Sequence, residues 1–182
     1  MKTVIVFLAD GMEECEGLLA VDLLRRAGIQ VTTASIMGRR EVTSSHQITL
    51  LADVLAEEAD YDGADMIVLP GGMPGTTRLA ESHLVREQCL AFAKGKLAAA
   101  ICAAPSVLAG LGLLEGKRAA CYPSVADRMG GAVLTGRPVE RDGNLITGQG
   151  LGAAIPFALE LIRVLTDEKT ANEVAGKICW TA

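Results

Sequence analysis

The chain has 182 residues, half of them hydrophobic and only 3 % aromatic, so it is long enough for one sizeable domain with a core of Ala, Val, Leu and Ile. Its net charge of −5 (17 basic against 22 acidic residues) comes without a basic stripe, which argues against nucleic acid or an anionic membrane as a partner. No apolar stretch reaches the roughly 18 residues of a membrane span, and the start MKTVIVFLADGMEE turns acidic too early for a signal peptide; a soluble, cytoplasmic protein is expected.

TVIVFLA (3–9) is a short apolar, β-branched run and reads as a buried strand, broken by Asp10-Gly11. A helical pattern follows from Glu13 to Ala27, with Cys15, Leu19, Leu23 and Ala27 on one face. Glu13 and Glu14 fall in its first turn, and Gly28 ends it. IQVTTASI (29–36) is the next strand, completing a βαβ unit. EVTSS and QITLL suggest two short strands, a hairpin off the main sheet. DMIVLP (65–70) is a strand followed by GGMPG, and helix resumes over 76–93. KLAAAI (96–101) is a strand whose following helix starts near Pro105, a residue suited to a first helical turn. RAACY (118–122) reads as a strand, 138–148 as a hairpin around Asp142-Gly143, and 153–165 and 168–177 as helices.

Strands that are apolar throughout and alternate with helices indicate a doubly wound α/β domain, its mostly parallel sheet sandwiched by helices, spanning residues 1–182. In such sheets ligands bind beyond the carboxyl ends of the strands, which brings together DGMEE, GGMPG and CAAP.

Five cysteines (Cys15, Cys89, Cys102, Cys121, Cys179) in an odd number, with no CxxC, speak against a disulfide framework. The two histidines, His46 and His83, lack ligand spacing to a cysteine, so no zinc site and no other cofactor is expected. Cys102 stands apart. Small residues at −2 and +2, Ala100 and Ala104, let a strand and a helix approach closely around it, as in a nucleophile elbow. At a helix N-terminus the main-chain N–H groups and the dipole favour a thiolate. The same pattern also fits an ordinary buried cysteine. Ala103, not His, follows it, so a carboxyl from Glu13, Glu14 or Glu16 is the candidate assistant, protonated through burial. Gly71 and Gly72 would leave main-chain N–H groups free for a bound oxygen, and otherwise make a tight turn.

Taken together, LADGMEECE, VDLLRRAGIQVT, YDGADMIVLPGG, AAICAAPSVL and TGQGLGAAIPFALELI resemble the ThiJ/PfpI superfamily over nearly the whole chain, and within it the branch of the Parkinson-disease protein and YajL. The resemblance implies a flavodoxin-like fold and a homodimer. It places the reactive cysteine at Cys102 and a protonated glutamate at Glu16. It puts oxygen-cradling N–H groups at Gly72 and Ala103, and interface arginines at Arg25 and Arg26. This chain departs from the pattern in four ways. Ala103 removes the protease-like histidine. Tyr122 stands where glyoxalase members have histidine. Gly148-Gln149-Gly150-Leu151-Gly152 lacks the family's hydroxyl and proline. His46 replaces an interface arginine. Tyr122, Gln149 and Gly150 are expected to wall the pocket.

Two activities are implied. One is glutathione-independent chemistry on small dicarbonyl or glycated substrates (glyoxalase or deglycase) through a Cys102 thiolate assisted by Glu16. The other is a redox sensor or holdase chaperone in which Cys102 becomes sulfinic acid. Cys15 and Cys121 flank the site as a second thiol site or as packing, and Cys89 and Cys179 are structural.

Overall fold

The computed structural model describes residues 1–181. Eleven strands run β1 Thr3–Leu8, β2 Gln30–Ser35, β3 Glu41–Thr43, β4 Thr49–Leu51, β5 Val54–Leu55, β6 Met66–Leu69, β7 Leu97–Ile101, β8 Arg118–Ala119, β9 Val133–Leu134, β10 Val139–Asp142 and β11 Leu145–Gly148. Six α-helices are α1 Glu14–Arg26, α2 Gly75–Glu81, α3 His83–Phe92, α4 Pro105–Gly110, α5 Ala154–Leu165 and α6 Glu168–Lys177.

The main sheet has seven strands in the order β10-β11-β7-β6-β1-β2-β5. Every neighbouring pair is parallel except β10 and β11 at one edge. Alternation along β1 explains the layering. Val4, Val6 and Leu8 join a core with Leu23, Leu24, Phe157 and Ile162 of α1 and α5. Ile5 and Phe7 join a second core with Leu79, Val85 and Phe92 of α2 and α3. A strand buried on both faces has to be apolar at every position, which is why β1 shows no polar alternation. The alanines of β7 (Ala98, Ala99, Ala100) are wholly buried, and their small side chains let the helices sit close.

The fold is the expected doubly wound sandwich, with local differences from the sequence reading. The helix expected over 76–93 is two, because Ser82 turns extended and its hydroxyl accepts from the Val85 N–H, capping α3. The strand expected over 118–122 shrinks to Arg118–Ala119, paired with β9 outside the main sheet. The hairpin over 138–148 turns through Gly143 and Asn144, and its β11 lies beside β7 in the main sheet. Asn144 closes that turn by donating its side-chain amide to the carbonyls of Phe92, Ala93 and Lys96. The hairpin of β3 and β4 does stand off the main sheet. No helix among the described residues is long and apolar enough to cross a membrane.

Candidate active site

The loops after β1, β6 and β7 meet at the carboxyl end of the sheet. The Glu13 N–H donates to the Gly71 carbonyl at 2.9 Å, tying the first loop to the second. Cys102 is the apex of the third. It follows the last residue of β7 and adopts φ 65, in the left-handed region where a side chain is strained. That posture is held from both sides. The Cys102 N–H donates to the Gly148 carbonyl at 2.9 Å, and its carbonyl accepts from the Tyr122 N–H at 2.8 Å.

The three acidic residues of the first loop divide into three roles. Glu13 caps α1, its Oε2 accepting from the Glu16 N–H at 2.6 Å. Glu14 turns to His46, whose Nδ1 lies 2.9 Å from Oε1. Burial would raise the Glu14 pKa, but its own main-chain N–H, the Ser44 hydroxyl and His46 outweigh burial and hold it below the ordinary value. Glu16 alone reaches the cysteine. Its carboxyl hydrogen-bonds the Cys102 sulfur, and its Oε2 accepts from the Gly71 N–H at 3.1 Å.

Gly71 therefore corrects one expectation. Its N–H belongs to Glu16 and is not free for a substrate oxygen. Its lack of a side chain matters as much, since a Cβ there would fall 2.5 Å from Cys102 Cβ and 2.6 Å from Glu16 Oε2. Gly72 and Ala103 do aim their N–H groups at the sulfur. Gly72 has φ 88, and a Cβ on it would strike the Glu13 nitrogen at 2.2 Å, so only glycine fits.

Burial, with a smaller push from the Glu13 charge, drives the Glu16 carboxyl up to about 7 against hydrogen bonds from Cys102 and Gly71. Burial, and then the charge and hydrogen bonding of Glu16, push the Cys102 thiol up to about 12, against the N–H groups of Gly72 and Ala103. A thiol lowered by its helix alone is thus not what the structure holds, and α4 has only six residues to supply a dipole. Instead the two groups titrate as a pair. Between about 7 and 12 the pair carries one proton, and the sulfur gains charge when Glu16 takes it. A protonated Glu16 donates to the sulfur instead of repelling it, so the influence of that residue on the thiol changes sign.

A family model described as the DJ-1/PfpI family matches residues 2–164. The chain belongs to the DJ-1/PfpI family. It is 40 % identical to Protein dj-1beta of Drosophila melanogaster, over 96 % of this chain and 95 % of that protein. It is 31 % identical to the glutathione-independent glyoxalase DJR-1.2 of Caenorhabditis elegans, over 98 % and 96 %. The oxidized DJ-1 of Toxoplasma gondii superimposes with a TM-score of 0.96 at 34 % identity, covering all of both chains.

Around Cys102 of this DJ-1/PfpI chain the expected wall residues come together. Tyr122, Gln149 and Gly150 line a depression of about 350 Å³ with Pro123, Pro138 and Leu151. Gly150 links it to the sulfur, because a Cβ there would lie 4.0 Å from Cys102 Sγ and 3.3 Å from Tyr122 Cδ2. Tyr122 is 48 % exposed at the mouth. Away from the site, Arg25 donates to the Val31 carbonyl and pairs with Asp53, and Arg26 pairs with Asp22. Cys121 is buried beside a smaller depression of about 150 Å³, and burial raises its thiol pKa. Cys89 is fully buried, with its thiol pushed up to about 12 by burial. Cys15 and Cys179 are exposed.

Sequence reasoning missed two contributors. Gly148 anchors the cysteine through its carbonyl, and Thr147 accepts the Ala120 N–H at 2.9 Å, which carries the chain back toward Tyr122. The two contacts span 46 and 27 residues and left no local trace. His46 is also placed beside the acidic loop, 32 residues from Glu14 in sequence.

Proposed function

We propose that this DJ-1/PfpI protein converts a small dicarbonyl such as methylglyoxal to a hydroxy acid without glutathione, with Cys102 as nucleophile and Glu16 as proton carrier. The observation that carries this reading is the hydrogen-bonded pair of Glu16 and Cys102 at a strained apex beside the Tyr122 depression. A sulfur so placed attacks the aldehyde carbon, and Glu16 supplies a proton to the oxygen of the hemithioacetal. The N–H groups of Gly72 and Ala103, which point at the sulfur, would be the donors nearest the oxygen that gains charge. Glu16 then moves the proton from the former aldehyde carbon to its neighbour, leaving a thioester that water hydrolyses to lactate and free thiol. The name of the Caenorhabditis elegans relative points the same way. Deglycation of protein or nucleotide amines would use the same attack.

A second reading rests on the same pair. Peroxide oxidation of Cys102 through sulfenic to sulfinic acid would leave oxygens for the Glu16 carboxyl and the Gly72 N–H to hold, consuming one peroxide per oxygen and releasing water. The Toxoplasma gondii neighbour is described as oxidized. The sensor or holdase role follows if oxidation alters partner binding. A homodimer is part of the proposal. Leu18 of α1 and Ile48 and Leu51 of the β3–β4 hairpin are exposed apolar residues on segments that meet through the Ser45 N–H and the Met12 carbonyl.

The deciding experiment is steady-state turnover of methylglyoxal, without glutathione, by the wild type, Cys102→Ser and Glu16→Gln. Turnover by the wild type and its loss in Cys102→Ser supports the enzyme. Turnover surviving Cys102→Ser overturns the nucleophile. No turnover in any form, with ready sulfinic acid formation by mass spectrometry, favours the sensor.

A further inference from the structure

We propose that Thr147 is a positioning residue for Cys102. Its buried hydroxyl fixes the segment whose main-chain N–H keeps the cysteine in its strained posture. The catalytic consequence rests on the function proposed above, whereas the effect on the thiol itself does not.

The hydroxyl stands out in its strand. β11 reads Leu-Ile-Thr-Gly, and every position is buried. Leu145 belongs to the core that holds Leu79 and Phe92, and Ile146 to the one that holds Phe157. Strand alternation therefore puts Thr147 on the side of Leu145. Thr147 is only 1 % exposed, and a hydroxyl so placed is costly unless bonded. Its Oγ1 accepts from the Ala120 N–H at 2.9 Å. Valine would suit such a strand without a polar atom, so packing alone does not call for threonine.

What the hydroxyl holds bears on the site. β8 ends at Ala119, and residues 120–122 belong to no strand. Two N–H groups of this segment are pinned singly instead. That of Ala120 is held by Thr147, and two residues on, that of Tyr122 donates to the Cys102 carbonyl at 2.8 Å. The Cys102 N–H donates in turn to the carbonyl of Gly148, the residue after Thr147, at 2.9 Å. Thr147, Ala120, Tyr122, Cys102 and Gly148 thus close a circuit. Cys102 has φ 65, a posture that persists only where the surroundings over-determine it. One of its two main-chain bonds comes from the segment that Thr147 pins.

Loss of the hydroxyl leaves the buried Ala120 N–H without its acceptor, and the segment must shift to find another. Tyr122 moves with it, away from the Cys102 carbonyl and from its place against Gly150, where its Cδ2 lies 3.3 Å from the position of a Cβ. The sulfur is then free to turn from the N–H groups of Gly72 and Ala103 and from the Glu16 carboxyl, the groups that make it reactive.

The test compares the wild type with Thr147→Val, Thr147→Ala and Thr147→Ser. It follows iodoacetamide alkylation at the Cys102 and Cys89 peptides by mass spectrometry, alongside thermal unfolding and methylglyoxal turnover. The two variants without a hydroxyl should alkylate at Cys102 about tenfold more slowly or worse, with kcat/KM falling to match. Cys89, fully buried, should stay protected in both. Thr147→Ser keeps the acceptor and should restore the wild-type rates. A general loosening of the fold would do the reverse and expose both thiols. Unchanged or faster alkylation of Cys102 without the hydroxyl, a serine variant as slow as the valine one, or failure of both hydroxyl-free variants to fold would each overturn the role. Alkylation needs no turnover. A wild type that leaves methylglyoxal untouched while the variants show the expected alkylation pattern would therefore overturn the enzyme and uphold Thr147.

Discussion

The main-chain N–H of Gly71 donates to Oε2 of Glu16 at 3.1 Å, and the bare Cα of the same glycine leaves the gap through which that carboxyl reaches Cys102. The glycine thus sets the position of the acid and clears its path. The reactive pair is assembled from three loops, and Gly71 is the piece that touches both partners.

Gly71→Ala should therefore disable the pair while the sheet survives. The added Cβ meets Cys102 Cβ at 2.5 Å, so one or both side chains must move. Overpacking of this kind costs about 1–3 kcal/mol. A fall in kcat of about tenfold or more, larger than the change in KM, is expected because a misplaced proton carrier harms the chemical step. Circular dichroism melts alongside steady-state rates check it.

The pair also predicts a pH profile. Below about 7 both groups hold protons, and above it Glu16 has lost its own and can take the thiol proton as the sulfur attacks. The kcat/KM should rise about tenfold per pH unit up to that point and then level. Glu16→Gln should flatten the rise and lower the plateau. Rates from acid to mildly alkaline pH are the measurement.

Stability should run the other way. The native Glu16 proton is held up to about 7 from an ordinary 4.5, so the unfolded chain releases its proton first as pH rises. Over that window the native state holds more protons and loses stability, by up to about 3 kcal/mol, and the loss is complete above the native value. Glu16→Gln removes this loss. Urea unfolding at pH 8 should find the variant more stable than wild type, and the gap should close below 4.5. A site that stabilises its protein when dismantled is the ordinary trade between activity and stability.

The strain at Cys102 gives a fourth expectation. At φ 65 glycine pays less than any residue with a Cβ. Cys102→Gly should exceed Cys102→Ala in stability by about 1 kcal/mol, both being inactive. Thermal unfolding of the two variants compares them directly.

Much of this architecture was legible in the chain. The unbroken apolar runs of β1 and β6 announced a sheet covered on both faces, and the small residues flanking Cys102 announced the elbow. What escaped notice has physical causes. Ser82 breaks a continuous helical pattern with one hydroxyl cap, a contact that costs no apolar residue. The two-residue strands β5 and β8 are too short to show a period. The place of β11 beside β7 depends on pairing between distant segments, as does the meeting of His46 with Glu14. Glu16 was distinguishable from Glu13 and Glu14 only through the family resemblance, since all three share one helical turn and only packing decides which of them turns inward.

The two main-chain bonds that grip Cys102, to Gly148 and from Tyr122, fasten three separate stretches of chain at one residue. A reagent can reach this half-buried sulfur with that knot still tied, and loosening it would scatter the N–H groups and the carboxyl that make the sulfur useful. Modification of Cys102 by thiol reagents should accordingly be indifferent to mild denaturant, whereas Cys89, fully enclosed on the inner face of α3, should wait for the molecule to open. Access to the reactive centre is a matter of traffic through the doorway, with the frame itself standing still.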